Sequence, residues 1–263
     1  MKLAGTTALV TGATGGLGQA IARALANAGA SLLLNGRRTE ALESLATELS
    51  ARTLVADLAQ RPDVTRLVEQ AGQVDLLVAN AALPASGDLL DYTPDQIDRA
   101  LDVNLRAPII MARELAPGMT ARRVGHMVFV GSLSGKAASP GSAIYSATKF
   151  GLRGFAHGLR QDLHGTGVGV SVVLPGFVRG AGMFAESGAK LPPGLRTVSP
   201  EDVARGVVRA IEHDQAEVVI APIEVRLGAI LGGLAPGPAA GIQRLFGASR
   251  LSNQMAEGQR PKR

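Results

Sequence analysis

Short, wholly apolar runs alternate with longer stretches in which apolar residues recur every three or four positions. The first pattern predicts strands buried on both faces, the second amphipathic helices. "TALVT" (7–11) predicts a strand and residues 16–30 a helix closed by Gly29. "SLLLNG" (31–36) is the next strand, followed by a helix over 39–50 with Thr39 as its cap. A strand at 52–57, a helix at 62–71 and a strand at 74–80 continue the alternation. Residues 93–116 predict one long helix, opened by Thr93 and Pro94 and kinked at Pro108. Strands at 125–132, 169–176 and 216–222 are separated by helices at 142–164 and 199–214, the latter capped by Ser199. Strand–helix alternation of this kind builds an α/β domain around a doubly wound parallel sheet of Rossmann type.

That pattern covers residues 1–222 as one domain. The segment 180–198 is a glycine-rich loop suited to a lid over a site. Beyond it, 223–250 forms an apolar helical extension. Within it, "RLGAILGGLAPGPAAGIQRLFG" (226–247) is broken by glycine and proline well short of the roughly 20 apolar residues of a membrane span. It predicts two short helices around "APGP", which either cover the pocket, pack on another subunit or lie at a membrane surface. Residues 251–263 predict a disordered basic tail.

Composition narrows the function. The 263 residues contain no cysteine, which removes thiolate nucleophiles, disulfides and cysteine metal sites. The N-terminal apolar run breaks too early for a signal peptide, so the cytoplasm is the expected location. Net charge is +5, much of it after residue 225, where Arg226, Arg244, Arg250, Arg260, Lys262 and Arg263 face only Glu257. Aromatic content of 3% argues against a surface that stacks bases, and no nucleic-acid partner is expected. His126, His157, His164 and His213 are scattered without metal-ligand spacing, so no metal site is expected. "GSLSG" (131–135) has Leu133 where a serine hydrolase needs its nucleophile.

The sharper signal is a glycine turn, "TGATGGLG" (11–18), set between the first strand and the first helix. Gly12, Gly16 and Gly18 there allow a pyrophosphate close to free backbone N–H groups at the helix start. The second strand ends in Asn35, Gly36, Arg37 and Arg38, with no carboxylate for ribose hydroxyls. Two guanidinium groups at a helix start suit a phosphate, which favours NADP(H), with NAD(H) as the alternative. Farther on, "GSAIYSATKF" (141–150) places Tyr145 one helical turn before Lys149.

Together these stretches resemble the short-chain dehydrogenase/reductase family over about residues 5–222. "TGATGGLG" matches TGxxxGxG, with Thr14 and Leu17 inside it, and "YSATK" matches YxxxK. Ser132 precedes Tyr145 by 13 residues, the family's usual spacing, and Asn104 matches the asparagine of the long fourth helix. Asp57 and Leu58 stand where the family contacts adenine. Asn80 stands in its NNAG segment, and Pro175, Gly176 and Val178 beside its nicotinamide. The chain departs from NNAG at Ala79 and Ala82, and has Gly180 where a carboxamide-binding threonine is common.

The resemblance implies carbonyl–alcohol interconversion. Tyr145 would exchange the proton, Lys149 would lower its pKa and bind the cofactor ribose, and Ser132 would orient the substrate oxygen. Asn104 would hold a water that links Lys149 to solvent. Met183 and Phe184, with Leu191 and Leu195, offer an apolar lining for a hydrophobic substrate. Family members are commonly dimers or tetramers, so a homo-oligomer is expected. The competing reading is a cofactor-binding regulator or scaffold without turnover.

Overall fold

The computed structural model describes residues 1–245 and 248–260. Seven strands form one parallel sheet in the order β3-β2-β1-β4-β5-β6-β7. They are β1 (Thr7–Val10), β2 (Ser31–Gly36), β3 (Arg52–Val55), β4 (Leu76–Ala79), β5 (Gly125–Val130), β6 (Val168–Pro175) and β7 (Glu217–Ile220). The chain winds outward from β1 in both directions, so the order reverses between β1 and β4. The crevice beyond the strand ends at such a reversal is where ligands bind in these sheets.

Both faces of the sheet are buried, as its apolar strands require. One face carries α1 (Gly16–Asn27), α2 (Thr39–Leu49) and α8 (Pro200–Glu212), packed through residues such as Ile21, Leu42 and Val207. The other carries α3 (Arg61–Ala71), α5 (Ala107–Arg122) and α6 (Ala143–Asp162), packed through Leu67, Met111 and Leu152. α4 (Pro94–Leu101) precedes α5, and the short α7 (Gly182–Glu186) lies within the predicted loop. That loop is closed at its base, where Val198 N–H donates to the Phe177 carbonyl and Arg179 N–H to the Val198 carbonyl, each at 2.9 Å.

The structure corrects four expectations. Thr39 is not a cap: Arg38 holds that position without a side-chain cap, and α2 begins at Thr39. Thr93 and Ser199, by contrast, each close a full capping box. The predicted long helix is divided by a π-helical turn, Asp102–Arg106, and Pro108 lies in the first turn of α5. Pro108 has no N–H, so the helical bond from residue 108 to the Asn104 carbonyl cannot form.

The extension contains three helices rather than two: α9 (Ile223–Leu234), α10 (Pro236–Leu245) and α11 (Ala248–Gln259). The tail expected to be disordered is therefore helical through Gln259. Its apolar and amide side chains find partners that the local charge pattern does not reveal. Among the described residues, no helix is long and apolar enough to cross a membrane.

Candidate active site

A cavity of about 1270 Å³ opens along the C-terminal ends of the strands. Small-ligand pockets are usually roughly 300–1,000 Å³, so this one has room for two molecules.

At the β1 end the wall is the glycine turn. Gly12 has φ +63°, and a Cβ there would sit 2.8 Å from the Ala81 Cα. A Cβ on Gly18 would collide with the Gly12 carbonyl. The turn can therefore be built only from glycine at these two places, and it presents bare backbone to the cavity. Thr14, Gly16 and Leu17 border the same space. Asn80, at the end of β4, fastens the turn: its Nδ2 donates to the Thr11 carbonyl at 3.0 Å. In return Thr11 Oγ1 accepts from Asn80 N–H and Ala81 N–H, each at 3.1 Å.

Beyond β2 and β3 the wall is charged. The Asp57 carboxylate lies 4.0 Å from the Arg37 guanidinium and 3.9 Å from that of Arg99, and both arginines border the cavity with Leu58. Arg38 donates to the Thr14 carbonyl at 2.8 Å. Arg99 was not among the expected site residues. It comes from α4, far from any glycine or tyrosine motif, and only the fold brings it to Asp57.

On the opposite wall Ser132, Tyr145 and Lys149 meet. Ser132 leaves β5 and caps the turn that follows it, its Oγ accepting from Ser134 N–H at 3.1 Å. Lys149 is almost fully buried and donates to the carbonyl of Val130, the last residue of β5, at 3.0 Å. Its Nζ stands 5.7 Å from the centre of the Tyr145 ring. Burial lowers the Lys149 ammonium to about 8. Burial raises the Tyr145 phenol above its ordinary value, and a hydrogen bond with Ser132 pulls the other way. Of these two influences burial is the larger, and the Lys149 ammonium donates to the Val130 carbonyl.

Asn104 does not border the cavity with the other expected residues. Its amide is spent on one neighbour: Leu83 N–H donates to Oδ1 at 2.6 Å, and Nδ2 donates to the Leu83 carbonyl at 2.9 Å. Leu83 in turn lines the cavity. Pro175, Gly176 and Val178 border it at the end of β6. Met183 and Phe184 do so from α7, where the Phe184 ring meets Phe177 edge-on at 5.1 Å between centres. α11 adds Leu251 and Met255 to this apolar part, a contribution that no sequence motif announces.

The histidines lie elsewhere. His126 is buried under the sheet's opposite end, 2.8 Å from Ser171 Oγ, and His157 shares Glu217 with Lys136 and Arg153. Among the described residues, no three metal-ligating side chains gather at one point.

A parallel sheet with a glycine turn at its switch point and a Ser–Tyr–Lys group across the cleft defines a nicotinamide-dependent oxidoreductase. Residues 6–192 match the family model for short chain dehydrogenase, and the chain belongs to the short-chain dehydrogenase/reductase family. It is 33% identical to a ketoacyl reductase of Nostoc sp. across 97% of its own length and 94% of that protein's. It superposes with a TM-score of 0.78 on a short chain dehydrogenase/reductase family protein, at 30% identity over 84% of this chain and 97% of that one. A short-chain dehydrogenase from Sphingobium yanoikuyae in complex with NADPH gives 0.77, at 26% identity over 88% and 94%. The chain is thus an NAD(P)-dependent enzyme acting between alcohols and carbonyls.

Proposed function

We propose that the enzyme reduces a hydrophobic carbonyl compound with NADPH, or runs the reverse oxidation with NADP⁺, and that Tyr145 exchanges the proton. The observation that carries this reading is the meeting of Ser132, Tyr145 and Lys149 on one wall of a cavity whose other end is a glycine turn beside arginines.

The residues present fit the cofactor. The side-chain-free turn at Gly12, Gly16 and Gly18 would take the pyrophosphate against backbone N–H groups. Asp57 and Leu58 would flank the adenine, and Arg37 and Arg99, both beside Asp57, would face a 2′-phosphate. Asn80, Pro175, Gly176 and Val178 would shape the nicotinamide end. When bound, the cofactor supplies the hydride that goes to the carbonyl carbon.

The chain's own residues handle the rest. Ser132 donates a hydrogen bond to the carbonyl oxygen, and Tyr145 gives that oxygen its proton, which completes the alcohol. The Lys149 ammonium would stabilise the resulting phenolate and bind the cofactor ribose. The Asn104 side chain positions Leu83. Its main-chain carbonyl, which Pro108 cannot satisfy, is the acceptor for a water that returns the proton by way of Lys149.

Phe177, Met183, Phe184, Leu251 and Met255 select an apolar body on the substrate. The long alignment with a ketoacyl reductase makes a ketoacyl compound the first to test. A panel of ketoacyl esters, ketoacyl thioesters, simple ketones and secondary alcohols, assayed with NADPH and NADH in parallel, tests the reading. Turnover that prefers NADPH is expected; none with any member, or a clear preference for NADH, overturns it.

A further inference from the structure

The helix α11 closes one side of the cavity, and its contacts are specific. Gly258 lies against the backbone of Ser187, just beyond α7, with no room for a Cβ. Lys190 N–H donates to Gln254 Oε1 at 3.2 Å. Gln259 Nε2 donates to the Met183 carbonyl at 3.1 Å. The far end of the chain is thereby fastened to the segment that holds Met183 and Phe184.

Gln259 is only 2% exposed and borders the cavity. Its nitrogen is committed to Met183, which fixes the orientation of the amide. Its oxygen, Oε1, is buried and has no hydrogen-bond partner among the described residues. A buried amide oxygen without a donor costs free energy, and proteins rarely carry one without a reason. Turning the amide over would bring its oxygen against the Met183 carbonyl, so no group among the described residues supplies the missing donor.

We infer that Gln259 Oε1 accepts a hydrogen bond from an N–H or O–H group of a molecule bound in the cavity, so that α11 reads a polar group on its ligand. The reading rests on the proposed function above. Two molecules share the cavity, and either can carry the donor: the amide or hydroxyl of a substrate, or the carboxamide of the cofactor. The packing of α11 on α7 buries Oε1 at a cost, and a ligand with a donor in reach removes that cost. Such a ligand binds more tightly than one without the donor. The substrate class this favours is a carbonyl compound with an apolar body and a hydrogen-bond donor apart from the carbonyl.

Gln259→Met keeps the length of the side chain and removes the acceptor. Four readouts in the full-length protein separate the possibilities: the Kd of NADPH from its fluorescence, KM for acetoacetyl-coenzyme A, KM for ethyl acetoacetate, and melting temperature with and without NADPH. The first substrate carries amide and hydroxyl donors; the second carries none. If the substrate supplies the donor, KM for the thioester rises about tenfold, while KM for the ester and the Kd of NADPH stay within twofold. If the cofactor supplies it, the Kd of NADPH rises about tenfold and the gain in melting temperature on adding NADPH shrinks. Unchanged values on all three binding readouts overturn the inference, including when the melting temperature falls equally with and without NADPH. That pattern marks a purely structural glutamine. Should the variant fail to fold, Gln259→Ala is measured in the same way. If the wild type reduces neither substrate, the proposed activity fails for ketoacyl compounds, and the NADPH readouts still decide the cofactor arm.

Discussion

Asn104 holds Leu83 by both functions of its amide, as acceptor at 2.6 Å and donor at 2.9 Å. The contact joins the π-helical turn ahead of α5 to the segment leaving β4, and so sets one wall of the cavity beside Tyr145. Replacing Asn104 by Leu leaves the Leu83 N–H and carbonyl without partners. A loss of roughly 1–3 kcal/mol per unsatisfied buried group is expected, read as a lower urea midpoint. Asn104→Asp keeps the acceptor and restores part of the stability.

The cofactor end is set by charge. Arg37→Gln removes one guanidinium facing the proposed 2′-phosphate. Its expected effect is about a tenfold rise in the Kd of NADPH, or about 1.4 kcal/mol, with NADH changed less than twofold. Arg99→Gln acts in the same direction. Equal losses for both cofactors would assign these arginines to shaping Asp57 rather than to reading a phosphate.

Gly18→Ala places a methyl group against the Gly12 carbonyl. The turn must open to admit it, so NADPH binding is expected to fall at least tenfold or the protein to lose stability. Gly154→Ala, in α6 with open space around it, is the control. It should leave binding unchanged and improve the helix by up to about 1 kcal/mol.

His126 makes stability depend on pH. Burial lowers its imidazole to about 4, so the folded chain holds it neutral. Between about pH 6.5 and 4 the unfolded chain therefore binds a proton that the folded chain does not. Stability must fall as pH falls through that window. Over pH 6.5 to 4.5 the loss should be about 2 kcal/mol, and His126→Asn should flatten it. Burial alone would raise the Glu217 carboxyl, but hydrogen bonds from Lys136, Arg153 and His157 hold it down to about 2, so it acts in a lower window: its contribution is lost as pH falls from 4.5 toward 2.

Much of this was legible in the sequence. The alternation of apolar runs is a direct consequence of a sheet buried on both faces. The glycine turn and the Ser132–Tyr145–Lys149 group are local enough for spacing to expose them. What escaped depends on the chain returning to itself. Arg99 reaches Asp57 only after four strands have been wound into order. Nothing local says that Leu83 would claim the Asn104 amide. The tail read as disordered because its charges are local, whereas the partners of Gln254 and Gln259, Lys190 and Met183, lie far back in the chain. Pro108 signalled an irregular helix correctly, but the irregularity falls one turn earlier, at the carbonyl the proline cannot serve.

The central claim is that Tyr145 delivers the proton. It is tested by Tyr145→Phe in a stopped-flow assay of NADPH oxidation with the best carbonyl substrate of the panel, beside an NADPH titration of the same protein. The account predicts a Kd within about threefold of wild type and turnover reduced by about 10²–10⁴-fold, the usual contribution of a positioned proton donor. Turnover within tenfold of wild type, with cofactor bound equally well, would contradict it.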